Sequence, residues 1–111
     1  MSNFIIEEFS FYKIFIYNNQ SEKNADASIQ IKLDSGMAYI HFMRNSLPPN
    51  HVEDKGQLKN FHVYVSYDKF PDYVDIMRYE KPMFFYYNED DQRSYITTSD
   101  EPVGEEERSE D

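Results

Sequence analysis

Apolar and polar positions alternate along most of the chain, and the period of that alternation changes once. Over residues 4–17 (FIIEEFSFYKIFIY), Phe9, Phe11, Phe15 and Tyr17 share one face at period two while Tyr12, Ile14 and Ile16 line the other. Apolar residues on both faces of its second half predict an interior strand. Residues 18–24 form a polar connection. Ile29, Ile31 and Leu33 then alternate with Ser28, Gln30 and Lys32, the pattern of a half-buried strand. Asp34-Ser35-Gly36 predicts a tight turn with glycine available for positive φ, followed by an antiparallel return through residues 37–43. Residues 44–57 (RNSLPPNHVEDKGQ) read as a long loop stiffened by Pro48-Pro49, and residues 58–67 as a strand with Phe61, Val63, Val65 and Tyr67 on one face.

The period then lengthens. Phe70, Tyr73, Val74 and Met77 stand at i, i+3, i+4 and i+7, a single helical stripe that predicts a helix near residues 69–80. Asp68 is the expected N-cap, and Pro71 and Asp72 suit a first turn. Arg78 and Lys81 suit the last turn, and Pro82 stops the helix. Residues 83–88 (MFFYYN) read as a buried strand, 89–92 as a turn and 94–98 as a shorter strand. The order β-β-β-β-α-β-β defines an α+β domain, a mostly antiparallel sheet of five or six strands with one helix on one face. One narrow stripe covers only part of a sheet face. The expected cover for the rest is sheet curvature, the long loop, or a second copy in a homodimer.

Charge divides the chain unevenly. Of the formal −10 over 111 residues, residues 99–111 carry −6, which leaves −4 on the body. The expectation is one α+β domain over residues 1–98 and a largely disordered acidic tail over 99–111, where Val103 is the one sizeable apolar side chain. The absence of cysteine excludes disulfides, thiolate nucleophiles and Cys-ligated metals. No apolar run approaches a membrane span, and Met1-Ser2-Asn3 lacks the basic start of a signal peptide, so a soluble, cytoplasmic protein is expected.

Catalytic constellations are hard to find. His41, His51 and His62 are separated by ten and eleven residues, a spacing that matches no metal motif, so they read as half-buried strand residues or surface groups. No serine sits in a nucleophile elbow, and three glycines are too few for a phosphate loop. Glu7-Glu8 would point to opposite strand faces, and Glu89-Asp90-Asp91 reads as a solvated turn. No catalytic residue, metal site or cofactor is expected. Ten Tyr and nine Phe raise the idea of base stacking by Tyr12, Tyr39, Tyr64, Tyr86 or Tyr87. An acidic body with scattered lysines supplies no groove for phosphates, so direct nucleic-acid binding is not expected.

Residues 73–84 (YVDIMRYEKPMF), Glu101-Pro102-Val103-Gly104-Glu105-Glu106 and the central Leu47-Pro48-Pro49 together show a resemblance. They resemble small bacterial proteins of no established activity, in which a helix ending Arg-Asn-Glu-Lys-Pro leads into an aromatic strand and the chain finishes Glu-Pro-Val-Gly-Glu-Gly-Glu. Here Tyr79 stands for the Asn and Glu106 for the second Gly. The resemblance implies no catalytic residue.

The reading that follows is a non-enzymatic protein-interaction module, regulating or occluding a basic partner protein. Its expected contacts are the strand tyrosines Tyr64 and Tyr86 and the tail carboxylates Glu105, Glu106 and Glu107. The alternative is a small-molecule or nucleotide-sensing domain whose aromatic cleft lies near residues 44–57, with Arg44, His51 and Lys55 as polar contacts.

Overall fold

A computed structural model describes residues 3–19 and 24–100. The fold is α+β, with eight strands in two sheets and one helix among the described residues. The strands are β1 (Phe4–Phe9), β2 (Tyr12–Ile16), β3 (Ala27–Leu33), β4 (Gly36–Met43), β5 (His51–Lys55) and β6 (Leu58–Ser66). A 3-10 turn (Tyr67–Lys69) then leads into α1 (Phe70–Tyr79), followed by β7 (Met83–Asn88) and β8 (Ser94–Thr98). β1, β7 and β8 form an antiparallel sheet in the order β1-β7-β8; the larger sheet runs β2-β3-β4-β6-β5. Among the described residues every strand pairing is antiparallel except β4 with β6.

The core lies between the sheets. Ala27, Ile29, Ile31, Ala38, Ile40, Phe42, Phe61 and Val63 line the inner face of the larger sheet, as their period-two spacing requires. Phe9, Met83, Phe85 and Tyr87 face them from the smaller one. Phe61 meets Phe85 and Tyr87 with ring centroids 5.7 and 5.3 Å apart, which locks sheet to sheet. Phe42 takes the edges of Phe70 and Tyr73 at 5.0 and 5.1 Å, which seats the helix.

Four sequence expectations are corrected. Residues 4–17 are two edge strands in different sheets, broken at Ser10-Phe11, and no interior strand forms there. Tyr12, Ile14 and Ile16 lie opposite Ile31, Ile29 and Ala27, on the inner face. Three strands and a ten-residue helix are too narrow to reach over them, so Ile16 is 69% exposed. The single sheet of five or six strands is replaced by a three-stranded and a five-stranded sheet. The second half of the 44–57 loop is β5, a short polar edge strand that contributes Val52 to the core margin. Asp68 does not cap the helix: it lies inside the 3-10 turn, Lys69 takes the N-cap position, and no side chain caps it. No helix among the described residues is long and apolar enough to cross a membrane.

Candidate functional site

The outer face of the larger sheet carries the histidines. Register sets two rows across it. Gln30 lies opposite Tyr39, Tyr39 opposite His62 and His62 opposite His51; one step along, Ser28 lies opposite His41 and His41 opposite Tyr64. The rings stand nearly parallel. His62 sits between Tyr39 at 5.1 Å and His51 at 4.8 Å, and His41 lies 5.0 Å from Tyr64. Tyr17 and Ala25, which flank the β2–β3 connection, pack on Met43 and Tyr64 and close one end of this face.

A hydrogen-bond chain crosses the rows. Ser28 Oγ is 3.3 Å from His41 Nδ1, His41 Nε2 is 3.0 Å from His62 Nδ1, and His62 Nε2 is 3.0 Å from Glu53 Oε1. An ionised carboxylate can only accept, which fixes the direction of every bond when both imidazoles are neutral. His62 Nε2–H donates to Glu53, His41 Nε2–H donates to His62 Nδ1, and the Ser28 hydroxyl donates to His41 Nδ1. The series has the polarity of a serine–histidine–acid relay lengthened by one imidazole. Ser28 is 2% exposed, so its hydroxyl ends the chain inside the protein and offers no nucleophile to a substrate. Burial, and after it the charge of Glu53, holds the Tyr64 phenol above its ordinary pKa.

Sequence spacing concealed this cluster. His51, Glu53 and His62 place three potential metal-ligating atoms within 4.8 Å of one another. One signal was present: His51-x-Glu53 is a same-face pair if residues 51–55 are a strand, and those residues read as loop. The other requirement, parallel pairing of β4 with β6, has no local signature.

The remaining expected site residues are dispersed. Arg44 pairs with Asp26 at 3.0 Å and lies over the Tyr67 ring at 4.1 Å, beyond one end of the β4–β6 ladder. Lys55 pairs with Leu58 at the opposite end of β6. Arg44, His51 and Lys55 therefore share no cleft. A cleft of about 550 Å3 opens elsewhere, between the β1–β2 corner and the end of α1, lined by Tyr12, Tyr79, Glu80 and Lys81 among others. Tyr64 is 8% exposed, packed among His41, His51 and Met43, so it is not the open contact tyrosine expected. Glu105, Glu106 and Glu107 lie outside the described residues.

Tyr86, the other expected contact tyrosine, sits elsewhere. It lies on the outer face of the smaller sheet, opposite Ile6 on β1 and Tyr95 on β8. Phe4, Tyr86 and Tyr95 form a row, with centroids 5.6 Å apart for Phe4–Tyr86 and 4.4 Å apart for Tyr86–Tyr95. Among the described residues this face stays open, with Phe4 and Ile6 each 51% exposed and Tyr95 46%. Exposed carboxylates flank it: Glu8 at one end, Asp90 and Asp91 in the turn at the other, with Arg93 the cation nearest in sequence.

Two layers, an outer aromatic row on the smaller sheet and a serine–histidine–histidine–glutamate chain on the larger one characterise this small α+β domain. Comparisons of the chain with protein-family models, with curated proteins and with solved structures returned no match.

Proposed function

We propose that the protein is a non-enzymatic interaction module that acts in the cytoplasm and uses the outer face of the smaller sheet to dock on a basic protein surface. The observation that carries this reading is the Phe4–Tyr86–Tyr95 row, exposed at Phe4 and Tyr95 and half-buried at Tyr86, with carboxylates at both ends. Tyrosine offers large contact area with few torsions to freeze, and the flanking charge selects a cationic partner. Residues 99–111 add −6 to the same electrostatic field, which would speed encounter without fixing the bound pose. Occlusion of a basic working surface is the simplest consequence.

The test is co-purification from the producing cell at two salt concentrations, comparing wild type with a Tyr86→Ala/Tyr95→Ala variant and an Asp90→Asn/Asp91→Asn variant. A basic protein held by wild type should be lost by the aromatic variant. Each tyrosine should be worth about 1–3 kcal/mol, read as faster dissociation. The charge variant should slow association and flatten its salt dependence. Equal capture by all three folded proteins, or no specific capture by wild type, overturns the reading.

Self-association is a second reading, favoured by β2. This edge strand has one strand partner among the described residues and exposes Ile16 at its last position, with Phe11 exposed just before its first.

A further inference from the structure

We propose that His51, Glu53 and His62 form a binding site for one divalent transition-metal ion of the zinc type, and that His41 and Ser28 report its occupancy through a reversal of their hydrogen bonds. The three ligating groups come from one hairpin. His51 and Glu53 share the outer face of β5 at i and i+2, and His62 lies directly opposite His51 on β6. Their potential ligand atoms lie within 4.8 Å of one another. Bonds of about 2.0–2.2 Å in a tetrahedral site put ligand atoms roughly 3.3–3.6 Å apart. The His51 and His62 rings, 15° from parallel, must therefore tilt toward each other to aim their lone pairs at one ion, a movement for which His51 on the edge strand has room. Two imidazoles and a carboxylate suit zinc and its neighbours better than calcium or magnesium, which prefer all-oxygen sites. The fourth position would take water.

The surroundings match what a metal-binding histidine needs. Such an imidazole uses one nitrogen for the ion and donates the other N–H to a fixed acceptor. His62 has His41 Nε2 at 3.0 Å from its Nδ1, and His41 has Ser28 Oγ at 3.3 Å from its own Nδ1. His51 Nδ1 stands 3.5 Å from Pro49 O, which leaves Nε2 for the ion.

The metal and the relay cannot both use His62 Nε2. Without metal and with both imidazoles neutral, that nitrogen carries the proton and donates to Glu53, 3.0 Å away. When an ion takes its lone pair, the proton must stand on Nδ1 and donate to His41 Nε2. His41 must then carry its proton on Nδ1 and donate to Ser28 Oγ, whose hydroxyl turns away. Both imidazoles stay neutral and no net proton is gained or lost. Occupancy thus flips two tautomers, one of them on a residue that does not touch the metal.

The experiment uses the full chain with any affinity tag removed. Zinc titration followed calorimetrically should give one ion per chain. His51→Ala and Glu53→Gln lie on an edge strand, their folding is checked by circular dichroism, and each should lower affinity at least about tenfold. In two-bond 1H–15N spectra, His41 and His62 should both change from Nε2–H to Nδ1–H on zinc loading. Absence of stoichiometric binding, unchanged affinity in both folded variants, or a His41 tautomer that does not change with saturation overturns the proposal.

Discussion

Asn50 closes two seams with one side chain. Its Oδ1 accepts from Tyr64 N at 2.8 Å, which continues the β5–β6 ladder one step past its last pair, His51 with His62. Its Nδ2 donates to Gln92 O at 2.8 Å and ties the same loop to the β7–β8 turn. Asn50→Ala should therefore destabilise the protein by about 1–3 kcal/mol, the range for leaving backbone groups unpaired, as read from the urea midpoint at unchanged slope. An effect within about 0.3 kcal/mol would show that water replaces both bonds. Residues such as this one also mark where sequence reading stops. Period two correctly sent Ile29, Ile40, Phe42, Phe61 and Val63 inward, because burial of a strand face is written in its own alternation. The meeting of His41, His51 and His62 is written nowhere locally, since it depends on which strands become neighbours.

At the scale of elements, strong periodicity was legible and weak or continuous periodicity was not. The helix, β3, β4, β7 and β8 follow directly from their patterns, and the turn at Asp34-Ser35 from its glycine. β5 has one core residue, Val52, and no alternation to detect. The break between β1 and β2 leaves the alternation unbroken through Ser10, so the pattern runs straight across a change of sheet. The parallel β4–β6 pair is likewise silent in sequence, yet the first of its register pairs is held to glycine. Gly36 has φ +147°, and a Cβ there would fall inside the van der Waals surface of the Lys59 carbonyl oxygen, its register partner on β6. Gly36→Ala combines a backbone conformation that L side chains rarely adopt with a clash against backbone. It should cost about 3 kcal/mol or more in chemical denaturation. Because the parallel pair aligns His41 with Tyr64 and Tyr39 with His62, the same substitution should disturb the histidine resonances before it disturbs those of β7 and β8. A fully folded Gly36→Ala protein of wild-type stability would show that the β4–β6 ladder is not fixed at this point.

At the scale of the whole molecule, the two sheets differ in width, and the difference leaves a margin. The smaller sheet and the helix cover the middle of the larger sheet and stop short of β2, where Tyr12, Ile14 and Ile16 continue the inner face into solvent. The same strand has an unpaired backbone edge among the described residues. A second copy can satisfy both needs at once: β2 placed antiparallel to its counterpart about a two-fold axis would extend the sheet across both chains and bring the isoleucines of each together. Light scattering should then give twice the 13.4 kDa chain mass at concentrations on the order of tens of micromolar. Ile14→Lys and Ile16→Lys should each return the protein to monomer while leaving its fold intact, because neither side chain is part of the buried core. A wild-type monomer at those concentrations defeats the arrangement. A dimer that survives both lysines but dissociates in Tyr86→Ala/Tyr95→Ala would place the interface on the aromatic face instead, in which case that face would be occupied by a copy of the chain and closed to a basic partner.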